Sequence, residues 1–200
     1  AGAVLLTAAG MRRNKDVVIV QHENIFGGYW ASTIKSAQNS YCYNFHIQTC
    51  EYVDYSYWIY GRSVRLVHDT IVPKPEPEYV DLGLSVKWAT FNVGATTPEE
   101  YGNYFAWGET ESKAKYGWEN YKWCNGGYTS LTKYCSDDTL CIDGFTDGLT
   151  QLVLEDDAAY INWGGNWRIP TREEWQELID SCVWTSYNGY YKVTSKVNNR

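Results

Sequence analysis

The decisive stretch of this sequence reads Trp167-Arg168-Ile169-Pro170-Thr171-Arg172-Glu173-Glu174-Trp175. Thr171 and Glu174 form a capping box, in which the hydroxyl and the carboxylate satisfy backbone amides that the first helical turn leaves without partners. Farther along, the apolar positions fall on one helical face, which comprises Trp175, Leu178, Ile179 and Cys182. We therefore predict the main helix over about 172–182.

Other elements are predicted by shorter patterns. Tyr43, Phe45 and Ile47 alternate with polar residues, which is typical of a half-buried strand. Residues 63–67 alternate as well, and we expect Arg65 to point outward. Asn188-Gly189 predicts a tight turn before a strand over 191–195.

The segment Thr97-Pro98-Glu99-Glu100 predicts a second, short helix over about 98–102, with proline at the first helical position. Residues 124–150 are rich in Gly, Ser, Thr and Asp and predict a long irregular insertion. Together these patterns predict an α+β protein with short antiparallel strands, one main helix and long loops.

Charge and aromatic content narrow the function classes. The net charge of the 200 residues is −7 and no basic cluster exists, so nucleic-acid binding has no electrostatic basis. No apolar run reaches the roughly 18–20 residues of a membrane span. Eighteen Tyr and ten Trp supply stiff amphipathic side chains that suit both cores and contact surfaces.

The cysteines do not match a zinc site. Their spacing contains no CxxC motif, and six of them allow up to three disulfides in an exported protein, with the pairing left open by sequence. Cys42 and Cys50 are expected either to form a disulfide across a hairpin or to be two separate buried thiols.

Several motifs resemble one known module in a changed order. Residues 79–200 contain Tyr79 to Ala89 (YVDLGLSVKWA), Tyr104 to Glu109 (YFAWGE) and Trp163 to Thr171 (WGGNWRIPT). These resemble the first part of a Bacteroidetes surface module, the Fibrobacter succinogenes major paralogous domain. Residues 5–67, with Leu5 to Gly10 (LLTAAG) and Gly61 to Val67 (GRSVRLV), resemble its last part.

The resemblance implies a C-type-lectin-like fold and a division of the chain. Residues 1–70 would be the C-terminal half of the module and residues 79–200 its N-terminal half. The proline-rich segment 71–78 would be an extended linker between them. The order indicates a circular permutation or a cut from a tandem array. The halves are expected to close within one chain, or alternatively to exchange between chains into dimers or filaments.

The segment 167–175 also resembles the signature of the formylglycine-generating enzymes, a branch of the same fold. Catalysis in those enzymes rests on a cysteine pair in the region that corresponds here to residues 52–65, which contains no cysteine. The sequence is therefore expected to be non-catalytic. The resemblance implies an exported or cell-surface location.

The resemblance places ligand binding in the loops near the closing strands, which correspond to residues 27–61. This window is dense in Tyr, Ser and Asn, a composition that favours adaptable contacts. We predict a stacking surface for a glycan or a protein, formed by Trp30, Tyr41, Tyr55, Tyr57, Trp58 and Tyr60. The alternative is that alternate members, Tyr55 and Tyr57 or Trp58 and Tyr60, fill the core from a strand.

We predict no cofactor. Asp156 and Asp157 carry carboxylates that could hold calcium, but we expect them to cap backbone amides or to pair with Arg168. Arg62 and Arg65 are expected to form an internal ion pair.

Overall fold

The computed structural model describes residues 3–12, 20–47, 51–68 and 79–198. The linker 71–78 and Cys50 lie outside the described residues. The described segments confirm the α+β class, with short strands and two helices. No helix among them has the length and apolar character needed to cross a membrane.

The elements, in chain order, are β1 (Ala3–Thr7), β2 (Met11–Arg12), β3 (Val20–Gln21), β4 (Phe26–Ser36), β5 (Asn39–His46), β6 (Glu51–Tyr57), β7 (Arg62–Ser63), β8 (Val67–His68), β9 (Tyr79–Val80), β10 (Lys87–Ala89), β11 (Tyr104–Phe105), α1 (Ala158–Trp163), β12 (Trp167–Arg168), α2 (Arg172–Ser181), β13 (Cys182–Tyr187) and β14 (Tyr190–Ser195).

The largest sheet has the strand order β11-β7-β4-β5-β6. Its pairs are antiparallel except β4 with β7, which run parallel at Tyr29 and Ser63. The other sheets are β1-β14-β13, β12-β8-β10-β9 and β2-β3. The first three of these four sheets each combine strands from before residue 69 with strands from after residue 78. The two halves of the sequence are therefore joined by main-chain hydrogen bonds within the chain.

The core lies on both faces of the largest sheet. On β4, Tyr29 and Ala31 belong to one buried cluster, and Trp30 belongs to the other. This alternation follows from the period of two along a strand. β4 is therefore covered on both sides, and its residues connect the two clusters.

Helix α2 begins as the sequence predicts. The Glu174 backbone N–H donates to Thr171 Oγ1 at 3.2 Å, and the Thr171 N–H donates to Glu174 Oε2 at 2.7 Å. The helix ends at Ser181, and Cys182 begins β13. The capping box and the buried face are confirmed, and the helix is one residue shorter than predicted.

The predicted helix over 98–102 is wrong. The chain makes one turn there, closed by the Glu100 N–H and the Thr97 carbonyl at 3.3 Å. The Glu100 carboxylate folds back and accepts the Thr96 N–H at 2.6 Å. Gly102 then adopts a positive φ of 69°, and the chain returns to Val93, whose carbonyl accepts the Asn103 N–H at 2.8 Å. A single turn without a following helical segment does not repay the cost of helix nucleation.

The other local predictions have mixed outcomes. β5 and the β13–β14 hairpin with its turn at 188–189 are confirmed, although Cys42 and Asn44 are buried as well, so β5 is covered on both faces. The segment 124–150 is irregular, as predicted, and contains the disulfide Cys135–Cys141. Cys42 is a buried free thiol.

The outward orientation predicted for Arg65 is wrong. Its side chain is completely buried and donates to the carbonyls of Ala89 at 3.1 Å and Leu5 at 2.5 Å. Arg62 is also buried and donates to Asn44 Oδ1 at 2.8 Å and to Ser56 Oγ at 3.0 Å. In the described part of the chain these bonds of both arginines go to uncharged oxygens, so the predicted ion pair is not formed there.

Strand β1 provides a test of how the first residues support the rest. Leu6 is fully buried and lies opposite Tyr191 of β14. Leu6→Ala should lower the free energy of unfolding by about 2–5 kcal/mol because it leaves a cavity. Chemical denaturation measures the change. Leu5→Ala, a partly exposed neighbour on the other face, is the control and should cost clearly less; equal losses would contradict the core position of Leu6.

Candidate binding surface

The structure divides the six predicted contact residues into two groups. Tyr41 lies on β5, and Tyr55 and Tyr57 lie on β6, an outer strand of the largest sheet. Tyr60 lies in the turn after β6. These four tyrosines are at least partly exposed, whereas Trp30 and Trp58 have no exposed surface.

Tyr55 and Tyr57 are the most exposed of the group, with 55% and 45% of their surface accessible. Tyr41 lies directly opposite Tyr55 in the strand register. Directly opposed residues of an antiparallel pair project to the same face, with Cβ atoms about 4.5–5.5 Å apart. The sheet thus brings Tyr41 and Tyr55 together, although they are far apart in sequence.

Tyr57, two residues beyond Tyr55 on β6, lies among other aromatic rings. Its ring meets the ring of Tyr60 edge to face at 5.9 Å between centroids, and it meets Trp118 at 6.3 Å. We use "tyrosine surface" for Tyr41, Tyr55, Tyr57, Tyr60 and Trp118. Sequence reasoning missed Trp118. One feature of the sequence could have pointed to Trp118 as a surface residue: it lies outside the motifs that resemble the framework of the module.

The prediction that Trp30 and Trp58 contact a ligand is wrong. The Trp30 indole N–H donates to the Phe105 carbonyl at 2.9 Å. Trp58 stacks on Trp107 at 5.0 Å between ring centroids. β6 ends at Tyr57, and the chain turns inward at Trp58, so this tryptophan packs in the core. For Trp58 the structure favours the core alternative.

Two cations lie over the Tyr41 ring. Lys35 Nζ is 5.6 Å from the ring centroid and Arg172 Cζ is 5.1 Å from it. The electron-rich face of an aromatic ring attracts such groups. Arg172 is placed by the start of α2, where its backbone N–H donates to Thr33 Oγ1 at 3.2 Å. The tyrosine surface is therefore bordered by positive charge in a protein whose net charge is −7.

The two aspartates considered for calcium are occupied by protein groups. Asp157 caps α1 by accepting the N–H groups of Ala159 at 2.8 Å and Tyr160 at 3.1 Å, and it also accepts the Ile169 N–H at 2.8 Å. Asp156 accepts hydrogen bonds from Lys133 at 2.7 Å and from Tyr134 at 2.6 Å. No group of three or more His, Cys, Asp or Glu residues in the described segments is arranged to hold a metal ion.

The three free thiols among the described residues have raised pKa values. Burial raises the pKa of the Cys42 and Cys124 thiols, and it raises the pKa of Cys182 to about 11. The thiolate is the nucleophilic form. At neutral pH these three side chains are therefore protonated and unsuited to nucleophilic catalysis.

A polar cleft of about 340 Å³ lies beside Glu109 and Lys122. The buried Glu109 carboxylate in it already has protein partners. Glu109 Oε1 accepts from Lys113 Nζ at 2.7 Å and from the Lys122 N–H at 2.7 Å. A ligand charge there would compete with existing partners, so the tyrosine surface is the better candidate for a binding site.

Comparisons with known proteins do not add to this assignment. No family model matches the sequence, and no curated protein or solved structure matches it either.

The division into core and surface aromatics predicts different stability effects. Trp58→Ala should lower the free energy of unfolding by about 3–5 kcal/mol because it removes a buried ring. Tyr55→Ala should change it by no more than about 0.5 kcal/mol because the ring is exposed. Thermal and chemical denaturation of both variants check this; a large loss in Tyr55→Ala would mean that this ring stabilises the fold.

The buried Asp157 carboxyl should make the free energy of unfolding depend on pH. Burial raises its pKa to about 6, although three backbone N–H groups and the nearby Arg168 act in the opposite direction. In the unfolded chain an Asp has a pKa of about 3.9. The folded state therefore binds the proton more tightly, and the stability that Asp157 contributes below about pH 4 is lost as pH rises through about 6, on the order of 3 kcal/mol.

Denaturation curves between pH 4 and 7 measure this loss. Asp157→Asn cannot ionise, so its stability should be lower overall but should lack this part of the decline. Asp180→Asn, at an exposed position, should keep the decline. Parallel curves for the wild type and Asp157→Asn would show that the carboxyl titrates normally.

Proposed function

We propose that this protein is a non-catalytic, exported or cell-surface binding module that contacts a glycan or a protein through its tyrosine surface. The observation that carries the proposal is the exposure of Tyr55 and Tyr57 on an outer strand, next to a core in which the largest aromatic rings are buried. Exposed aromatic side chains give large contact area and lose few rotamers on binding.

The proposal also draws on the resemblance to the Fibrobacter succinogenes major paralogous domain and its C-type-lectin-like fold. Two features support it. Helix α2 begins at the capping box that the resembling motif contains. The first strand pairs with the last, with Val4 opposite Val193, as a permuted module closed within one chain requires.

The same pairing favours one alternative function, assembly by exchange of half-domains. β1 is held to the last hairpin by a register of five residue pairs. An equivalent strand of a second molecule can form the same hydrogen bonds, because the exchanged interface is identical to the internal one. In that case self-association would be the function, and dimers or filaments would result.

Binding to the tyrosine surface is tested by Tyr55→Ala combined with Tyr57→Ala. The double variant should lose at least about tenfold in affinity for any glycan or protein that the wild type binds, since a stacked ring contributes about 1 kcal/mol or more. A glycan array and a panel of surface proteins supply the ligands. Tyr79→Ala is the matched control, because Tyr79 is equally exposed, at 45%, but lies on β9 in a different sheet. Unchanged affinity in the double variant would place binding elsewhere.

The solution mass distinguishes closure from exchange. Light scattering coupled to size exclusion should give a single species near the chain mass of 23.0 kDa at all concentrations. A dimer, or a mass that grows with concentration, would instead support assembly.

A further inference from the structure

We propose that the ligand of the tyrosine surface is an acidic sugar, carboxylated or sulfated, whose anionic group is bound by Lys35 and Arg172 while its ring stacks on Tyr55. The inference rests on the proposed function and names the ligand class for the same surface.

Near Tyr41, one ring contacts the two cations and a different ring is exposed for stacking on a ligand. Lys35 and Arg172 lie over the Tyr41 ring, so this ring anchors the two cations rather than receiving the ligand. Tyr55, directly across from it, has no ring partner among the described residues and 55% of its surface is accessible. An exposed ring therefore lies beside two anchored positive charges.

A second pair of cations provides an internal comparison. Lys122 and Lys133 lie over the Trp123 ring at 4.2 and 4.8 Å. Both lysines of that pair contact the buried Asp156, whose carboxylate oxygens lie 3.5 Å from Lys122 and 2.7 Å from Lys133. By contrast, Lys35 has no carboxylate within ion-pair distance in the described part of the chain. The positive charge of Lys35 is therefore available to an anionic ligand.

Arg172 has one competing partner. Its Nη1 is 3.6 Å from Glu173 Oε1, and the two side chains are 42% and 67% exposed. Exposed pairs of this kind contribute about 0–1 kcal/mol. An anion that also contacts Lys35 can therefore displace Glu173 from Arg172.

The location on the sheet face favours a sugar over a peptide. A peptide that adds to β6 would use main-chain hydrogen bonds at the strand edge. The groups identified here are side chains that project from β4, β5, β6 and the start of α2. The C–H face of a sugar packs on an aromatic ring, and its acidic substituent accepts charge-assisted hydrogen bonds from the cations.

Calorimetric titration tests the inference with four probes: a galacturonic acid trisaccharide, its methyl ester, a galactose trisaccharide sulfated at O6, and hexaglutamate. The acid or the sulfated sugar should bind at least about tenfold more tightly than the methyl ester, equivalent to about 1.4 kcal/mol. The difference should shrink between 50 and 300 mM salt, since exposed charges are screened. Which of the two binds more tightly identifies the anionic group.

Four variants make the test specific. Lys35→Gln and Arg172→Gln should each reduce the affinity for the acidic sugar about tenfold and leave that for the methyl ester unchanged. Glu173→Gln should raise it a few-fold, because Arg172 loses its competitor. Lys192→Gln removes an equal charge from β14 and should have no effect. Thermal melts establish that each variant is folded. Lys35→Gln should disturb folding least, because Lys35 is at an exposed position.

The contrary outcomes separate the two proposals. Equal affinity for acid and methyl ester, both dependent on Tyr55, would overturn the acidic ligand and leave the binding function standing. Binding of hexaglutamate alone, dependent on Lys35, would replace the sugar by an acidic peptide. If no probe binds, the acidic-sugar inference fails, and the glycan array and protein panel decide the proposed function independently.

Discussion

Trp175 fixes helix α2 against strands from both halves of the sequence. Its ring stacks on Tyr43 at 4.9 Å and meets Trp88 edge to face at 4.8 Å, and its indole N–H donates to the Trp30 carbonyl at 3.3 Å. Arg172 precedes it by one turn on the same helix. The buried contact of Trp175 therefore also determines where Arg172 lies relative to Tyr41, and the position of the binding surface depends on a core interaction.

The aromatic residues perform two physically different roles. Several buried tryptophans donate their indole N–H to main-chain carbonyls, as Trp30 does to Phe105 at 2.9 Å and Trp107 does to Ala31 at 3.0 Å. These bonds satisfy the one polar atom of a large apolar ring. Tyr55 and Tyr57 instead keep much of their surface accessible. The high Trp content thus serves mainly the core, whereas the Tyr content also supplies surface.

The predictions that succeed from sequence rest on local signals. The capping box at Thr171 and the Asn188-Gly189 turn each depend on a few neighbouring residues. The helix predicted over 98–102 also had a local signal, but Gly102 and the following return of the chain stopped it after one turn. The errors at Arg65, Trp30 and Trp58 have another cause. Their burial depends on contacts with distant segments, and such contacts leave no periodic trace.

The pairing of Tyr41 with Tyr55 could not be derived from sequence for a related reason. The composition of residues 27–61 indicated a contact surface, but the members that share a face are set by the register of β5 and β6. A shift of one residue would exchange the two faces of β6. Lys35 and Arg172 are even farther apart in sequence, and only the docking of α2 on the sheet brings both to Tyr41.

An acidic protein that binds an anion faces opposing electrostatic effects at different distances. The net charge of −7 repels an approaching anion, but salt screens this repulsion beyond about 8 Å at physiological ionic strength. At contact, Lys35 and Arg172 act over a few ångströms, where screening is weak. The net charge should therefore slow association, and the two cations should slow dissociation, since rim and long-range charges act mainly on the association rate. Both effects weaken as salt rises, but at contact distance the local attraction is the stronger one, so the local pair, rather than the overall charge, decides which ligand this surface retains.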